Sequence, residues 1–287
     1  MKATSRMTLG AFLISFSSLF VALAGISAAS AGFWRMAVGS AVLLAWLLWR
    51  RISIRLPARQ LAWLALAAAC FALDLALWHQ SILYVGPGLA TLLANLQVFT
   101  LPLAAWLLLR ERLWRNYFLG AVLAVAGLWL QIGLNWTLFS QEYRLGILLG
   151  LGTAVAYTAF MLTLKQVQQR NGREETLVNL FWVSLLTTLP LGWLGLGGED
   201  GLALPDGRAW LMMIAYGTLC QVLGWALITG AMPRLPAARI ALLLLLQPTF
   251  SYVWDVLWLQ RSLSVTEITG VALTLTGIYL GMRCEPG

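Results

Sequence analysis

The chain has 287 residues, of which 60% are hydrophobic and only 10% charged. Soluble domains carry about 25% charged residues, so a composition this apolar excludes an ordinary water-soluble fold and points to an all-α integral membrane protein. The net charge of +8 does not signal nucleic acid, because the basic residues fall in short clusters between apolar runs and form no single basic face.

Lys2 and Arg6 precede an apolar run from Met7 to Ile26 that ends in ISAASAG. That arrangement has the outline of a secretory signal with a small-residue cleavage site. The run is about 20 residues long, however, enough to span a bilayer, so it reads better as an uncleaved first span. Further apolar runs predict nine more spans, giving ten at 7–26, 32–49, 60–84, 88–109, 115–133, 144–164, 176–195, 208–230, 236–259 and 265–283. The connections between them are short and leave no room for a separate soluble domain.

Lys and Arg accumulate in cytoplasmic loops. With the amino terminus inside, fifteen of the 19 Lys and Arg fall on the inner side. Only Arg35, Arg144, Arg208 and Arg261 fall outside, and both termini are cytoplasmic. Arg35, just inside the second span, is expected to snorkel outward. Glu111, between Arg110 and Arg112, reads as part of a solvated loop cluster.

The glutamines Gln97 and Gln247 each interrupt a run of apolar residues, 150 positions apart. The same offset pairs Cys70 with Cys220, Gly120 with Gly270 and Gly127 with Gly277 without a gap. The chain is therefore expected to contain an internal repeat, residues 1–135 and 140–287. Each copy would hold five helices, an odd number, so the second would insert upside down. The charge pattern agrees, since the inner RERLWR at 110–115 becomes the outer QRSLSV at 260–265. Inverted repeats are typical of secondary transporters, whose substrate site lies near the midplane between the copies.

The stretch SILYVGPGLATLLANLQVFTLPLAAWLLLRERL followed by GAVLAVAG, with its partner RLPAARIALLLLLQPTFSYVWDVLWLQRSL followed by GVALTLTG, resembles the drug/metabolite transporter superfamily in its EamA-type branch. Within that branch the chain looks most like the YddG-type aromatic amino-acid exporters of bacteria. The resemblance implies an inner-membrane carrier that exports solute from the cytoplasm through a cavity between the halves. It departs from the pattern where Val98 replaces a proline that is present as Pro248, and where Arg261 replaces the glutamate present as Glu111.

Ionisable groups within a span are rare and costly. Asp74 and His79 in the third span are candidates for binding a substrate amino group or a coupling proton; the alternative is a structural carboxyl and an interfacial imidazole. At 100° per residue Trp78 shares the face of Asp74, and His79 is turned about 140° away. Asp255 reads as interfacial, near Arg261. Gln97 and Gln247 are candidates for bonding a substrate carboxylate or amine, or for gluing helices. Asn95, about 200° from Gln97, is a further candidate. Gln221 with Trp225, and Thr153 with Tyr157, are four apart and predict polar-aromatic faces suited to an aromatic zwitterion. Seven of the 15 tryptophans lie near span ends, where tryptophan is enriched whatever a membrane protein carries; Trp78 and Trp225 read as deep enough to stack on a ligand.

The expected function is export of amino acids, with the aromatic ones implied by the resemblance. A different metabolite or a cationic drug is the alternative within transport. A polytopic enzyme acting on lipid would need catalytic residues clustered at one interface, and a sensory protein would lack a polar path. No nucleotide-binding or hydrolase signature occurs, no cofactor or metal is implied, and the expected partners are the solute and the lipid bilayer. Transport coupled to a proton at Asp74 or His79, and uniport, remain alternatives; one chain already carries both halves, so a monomer suffices.

Overall fold

The computed structural model describes residues 2–132, 141–169, 173–197, 201–258 and 264–282. It is helical throughout, with no strand among them. Nine of the helices are long and apolar enough to cross a membrane, and the shorter apolar helix Arg115–Leu130 occupies the fifth predicted span. Many of the most exposed side chains are large and apolar, including Trp49, Leu83, Trp193 and Val265. That pattern suits hydrocarbon outside the protein, where water would penalise it.

Several spans are interrupted. The first is α1 (Ala3–Ser15) and α2 (Ser17–Ala24), closed by Gly25 at φ 64°. The second, α3 (Ala28–Trp49), starts where Ser27 Oγ accepts from Ser30 N at 3.3 Å. Spans three and four run together as α4 (Ala58–Asn95), kinked at Gly86, whose φ of 81° and ψ of 161° only glycine adopts readily. The fourth continues as α5 (Gln97–Leu109), followed by α6 (Arg115–Ile132). Then come α7 (Gln141–Gln168) and α8 (Arg173–Leu196).

The eighth span starts as α9 (Gly207–Ala215), where Asp206 accepts from Ala209 N at 2.7 Å. It winds as a π-helix through Tyr216–Gly224 and ends as α10 (Trp225–Ala231). The ninth is α11 (Ala237–Leu244) and α12 (Leu246–Trp258), and the tenth is α13 (Val265–Met282). Ser264 and Glu267 cap each other's backbone N–H at the start of α13, at 3.2 and 2.7 Å.

The described chain packs as two compact units that each draw on both halves of the sequence. Unit 1 comprises Met1–Ala72 and Phe160–Leu235. Within it α3 lies along α8, and α1 packs on the π-helical segment and α10. The α1 crossing is close, since a Cβ on Gly10 would meet the Gly224 carbonyl at 2.8 Å.

Unit 2 comprises Leu73–Ala159 and Pro236–Gly287. Here α6 and α13 run against each other along their length. A Cβ on Gly120 would lie 2.5 Å from the Gly277 carbonyl oxygen, and one on Gly127 2.5 Å from that of Gly270. Between these crossings Thr274 Oγ1 donates to the Ala124 carbonyl at 3.3 Å.

Glu111 departs from the solvated cluster read from the sequence. Its carboxylate accepts from Ala237 N at 2.6 Å and so caps the start of α11. The position makes electrostatic sense, because a helix amino terminus carries partial positive charge and unsatisfied N–H groups.

Candidate substrate site

In unit 2 the two glutamines sit just past the two helix breaks. The chain leaves α4 through a single tightened turn, in which Leu96 N donates to Leu93 O at 3.1 Å, and Gln97 opens α5. In the second copy Leu245 N donates to Leu242 O at 3.2 Å, and Gln247 is the second residue of α12. Gln97 is buried, and its Oε1 has no hydrogen-bond partner; Gln247 is half-buried, and its Nε2 has none. An amide withdrawn from water without a partner is costly, so these atoms are a free acceptor and a free donor at equivalent places. Asn95 is different. Its Nδ2 donates to Thr91 O at 2.8 Å, one turn back, and closes its own helix end.

Asp74 is buried in the same unit, and neither it nor Tyr157 is without a partner. The Trp78 and His79 rings touch each other, with centroids 5.3 Å apart and a 44° tilt. Thr153, expected to share a polar face with Tyr157, instead donates back to Leu149 O at 3.2 Å. The polar contact across helices comes from the next residue but four, Thr158, whose hydroxyl meets that of Thr100 on α5 at 2.6 Å.

Gln221 and Trp225 belong to unit 1, and their partners come from different helices. Gln221 is turned to α3 and α8: its Oε1 accepts from Arg35 Nε at 2.8 Å, and its Nε2 donates to Ser184 Oγ at 2.9 Å. Trp225 packs on α4 and α7 instead, with its ring 5.9 Å from Phe71 and 5.4 Å from Phe160. Phe71 and Phe160 stack on each other at 4.4 Å. Trp225 is buried and its Nε1 donates to nothing.

Arg35 does not snorkel outward. It is 8% exposed and held within unit 1 by Gln221 and by the Tyr216 hydroxyl, which accepts from Nη1 at 3.3 Å. Its guanidinium also lies 5.2 Å from the Tyr216 ring centroid. A cation about seven residues into a span reads as a snorkeller only if its neighbours are apolar. Here the π winding supplies polar ones, which no feature of the local sequence announces. The side chain of Asp255 and the whole of Arg261 lie outside the described residues.

Unit 1 also contains a cavity of about 590 Å³, lined in part by Arg6, Gln168, Thr176 and Arg234. None of the residues picked from the sequence lines it. No group of three or more His, Cys, Asp and Glu able to hold a metal occurs among the described residues.

Comparison with known proteins adds a family. The model of the EamA-like transporter family matches twice, at residues 4–133 and 144–283. A Bacillus subtilis protein, the uncharacterized transporter YwfM, is 26% identical over 87% of this chain and 82% of its own length. A Salmonella typhimurium protein described as a probable amino-acid metabolite efflux pump is 27% identical, covering 68% of this chain and 67% of its own. The Escherichia coli uncharacterized inner membrane transporter YhbE is 20% identical over 76% and 70%. One crystal structure superposes with a TM-score of 0.83 at 21% identity, covering 98% of this chain and 97% of the other, which establishes a shared fold. The descriptions of these relatives do not name aromatic amino acids.

Proposed function

The chain belongs to the EamA-like transporter family, and from that premise we propose that it exports amino acids, aromatic ones foremost, from the cytoplasm by alternating access. It is a multi-pass transporter of the bacterial inner membrane. The observation that carries the finer reading is the pair of broken helices. In secondary transporters, discontinuous helices at equivalent points of two repeats supply the polar groups that hold substrate. Here each break is followed by a glutamine with an unpartnered amide atom, one an acceptor and one a donor.

Residues 1–135 and 140–287 are the two inverted repeats of this proposal. Thr274 and Ala124 are counterparts at the 150-residue offset and touch each other, as positions on a two-fold axis do. Gly120 meets Gly277 and Gly127 meets Gly270, the exchange that such an axis requires. The amino-acid class draws support from the Salmonella relative's description, and the aromatic preference from the resemblance to YddG-type exporters. Asp74 is the group proposed to couple transport to protons, with His79 as its neighbour on the same helix.

Counterflow tests the substrate class. Vesicles containing the purified protein and preloaded with unlabelled phenylalanine should accumulate labelled phenylalanine. Tryptophan and tyrosine should compete, leucine weakly, and a hydrophobic cationic drug not at all. Competition by the drug alone would assign the carrier to drug export instead.

A further inference from the structure

We propose that Arg35, held by Gln221 and Tyr216, is an anion site within unit 1 that takes the carboxylate of a solute; the inference rests on the carrier reading above. A guanidinium offers five N–H donors in a planar fork. Two are used, Nε to Gln221 and Nη1 to Tyr216, which leaves three, both of those on Nη2 among them. The two partners are neutral. No ion pair to Arg35 exists among the described residues, although its side chain is 8% exposed and lies within a span. A charge withdrawn from water in this way calls for a counter-ion, and a carboxylate is the group whose two oxygens match the open end of the fork.

The surroundings are built for the purpose. Tyr216 and Gln221 are five positions apart, which a regular α-helix would place about 140° from each other. The segment Tyr216–Gly224 is a π-helix, whose looser i→i+5 winding brings both side chains onto Arg35. Gln221 is fixed in turn by Ser184 on α8, and Gly39 on α3 leaves the space its side chain fills, since a Cβ there would lie 2.5 Å from Gln221 Cγ. The guanidinium is thus oriented from three helices and its spare donors are preorganised. Solutes with a carboxylate are selected over their neutral isosteres.

The test uses the purified full chain in detergent and follows thermal unfolding at constant ionic strength with phenylacetate, with phenylacetamide as the neutral isostere, and with phenylalanine against phenylalaninamide. Phenylacetate should raise the midpoint of the parent in a saturable manner while phenylacetamide does not, and Arg35→Gln should abolish the rise. Arg35→Lys, which keeps the charge and loses the fork, should weaken binding on the order of tenfold. The acid-against-amide comparison on the parent needs no variant and decides the matter if Arg35→Gln does not fold. Equal shifts by acid and amide, no shift by either, or an unchanged response in Arg35→Lys would overturn the proposal. A response to phenylacetate that Arg35→Gln loses, in a protein that transports no amino acid, would keep the anion site and discard the amino-acid reading.

Discussion

Gly120 on α6 and Gly277 on α13 pack backbone against backbone: a Cβ on either would lie 2.5 or 2.6 Å from the other's carbonyl oxygen. Because the obstructing atoms are backbone, no rotamer change relieves the overlap. Overpacking of this kind costs about 1–3 kcal/mol. That exceeds the roughly 1 kcal/mol by which alanine favours a helix over glycine. Gly277→Ala should therefore lower the thermal midpoint in detergent, whereas Gly207→Ala, with nothing within 4 Å, should not. Equal midpoints for the two variants would contradict the close packing of α6 on α13.

Gln221 is committed at both ends, to Arg35 and to Ser184. Gln221→Ala strips a hydrogen bond from a buried charge, a loss of about 1.5–3 kcal/mol, and should destabilise the protein by at least that much. Gln221→Glu acts in the opposite direction on stability, because the new carboxylate supplies Arg35 with a counter-ion. It should raise the midpoint while eliminating the response to phenylacetate. A Glu variant that still responds would place the carboxylate elsewhere.

Gln97 and Gln247 each leave one amide atom without a partner, so their removal forfeits little of the native hydrogen bonding. Gln97→Ala and Gln247→Ala should each change unfolding free energy by less than about 1 kcal/mol, because release of a buried, unsatisfied amide atom offsets the packing lost. Midpoints that fall sharply would mean that the amides hold helices together rather than serve a solute.

Glu111 accepts from the first N–H of α11 at 2.6 Å. Glu111→Gln keeps the shape and removes the charge that faces the helix amino terminus. The expected loss is about 0.3–1 kcal/mol, largest at low ionic strength and reduced by added salt. An effect independent of salt would point to geometry rather than charge.

Helix number and placement were legible because a bilayer demands long apolar runs, and each of the ten runs is mostly helical over its described residues. The breaks were legible only in part. At Leu245 the mark is Pro248, which has no N–H for the Leu244 carbonyl; Leu96, between Asn95 and Gln97, has Val98 at the matching position, so its interruption comes from packing. The glutamines stand out by polarity and by their matched positions 150 residues apart, and they fall one and two residues past those breaks. Asn95 drew the same attention for the same reason and spends its amide on its own helix. Arg35 was misread because charge within a span was weighed without its neighbours, and the π winding that delivers Tyr216 and Gln221 to it has no signature in YGTLCQVLG. Gln221 and Trp225 were placed on one face by counting 100° per residue, a rule that the π winding suspends.

The most direct test of the whole account is the initial rate of labelled phenylalanine uptake into proteoliposomes, with and without an imposed pH gradient, for the parent, Gln97→Ala and Gln247→Ala at equal amounts of folded protein. The account predicts saturable uptake by the parent above empty vesicles and a loss of tenfold or more in both variants, about 1.4 kcal/mol of solute interaction at each amide. Parent and variants transporting at the same rate would contradict it.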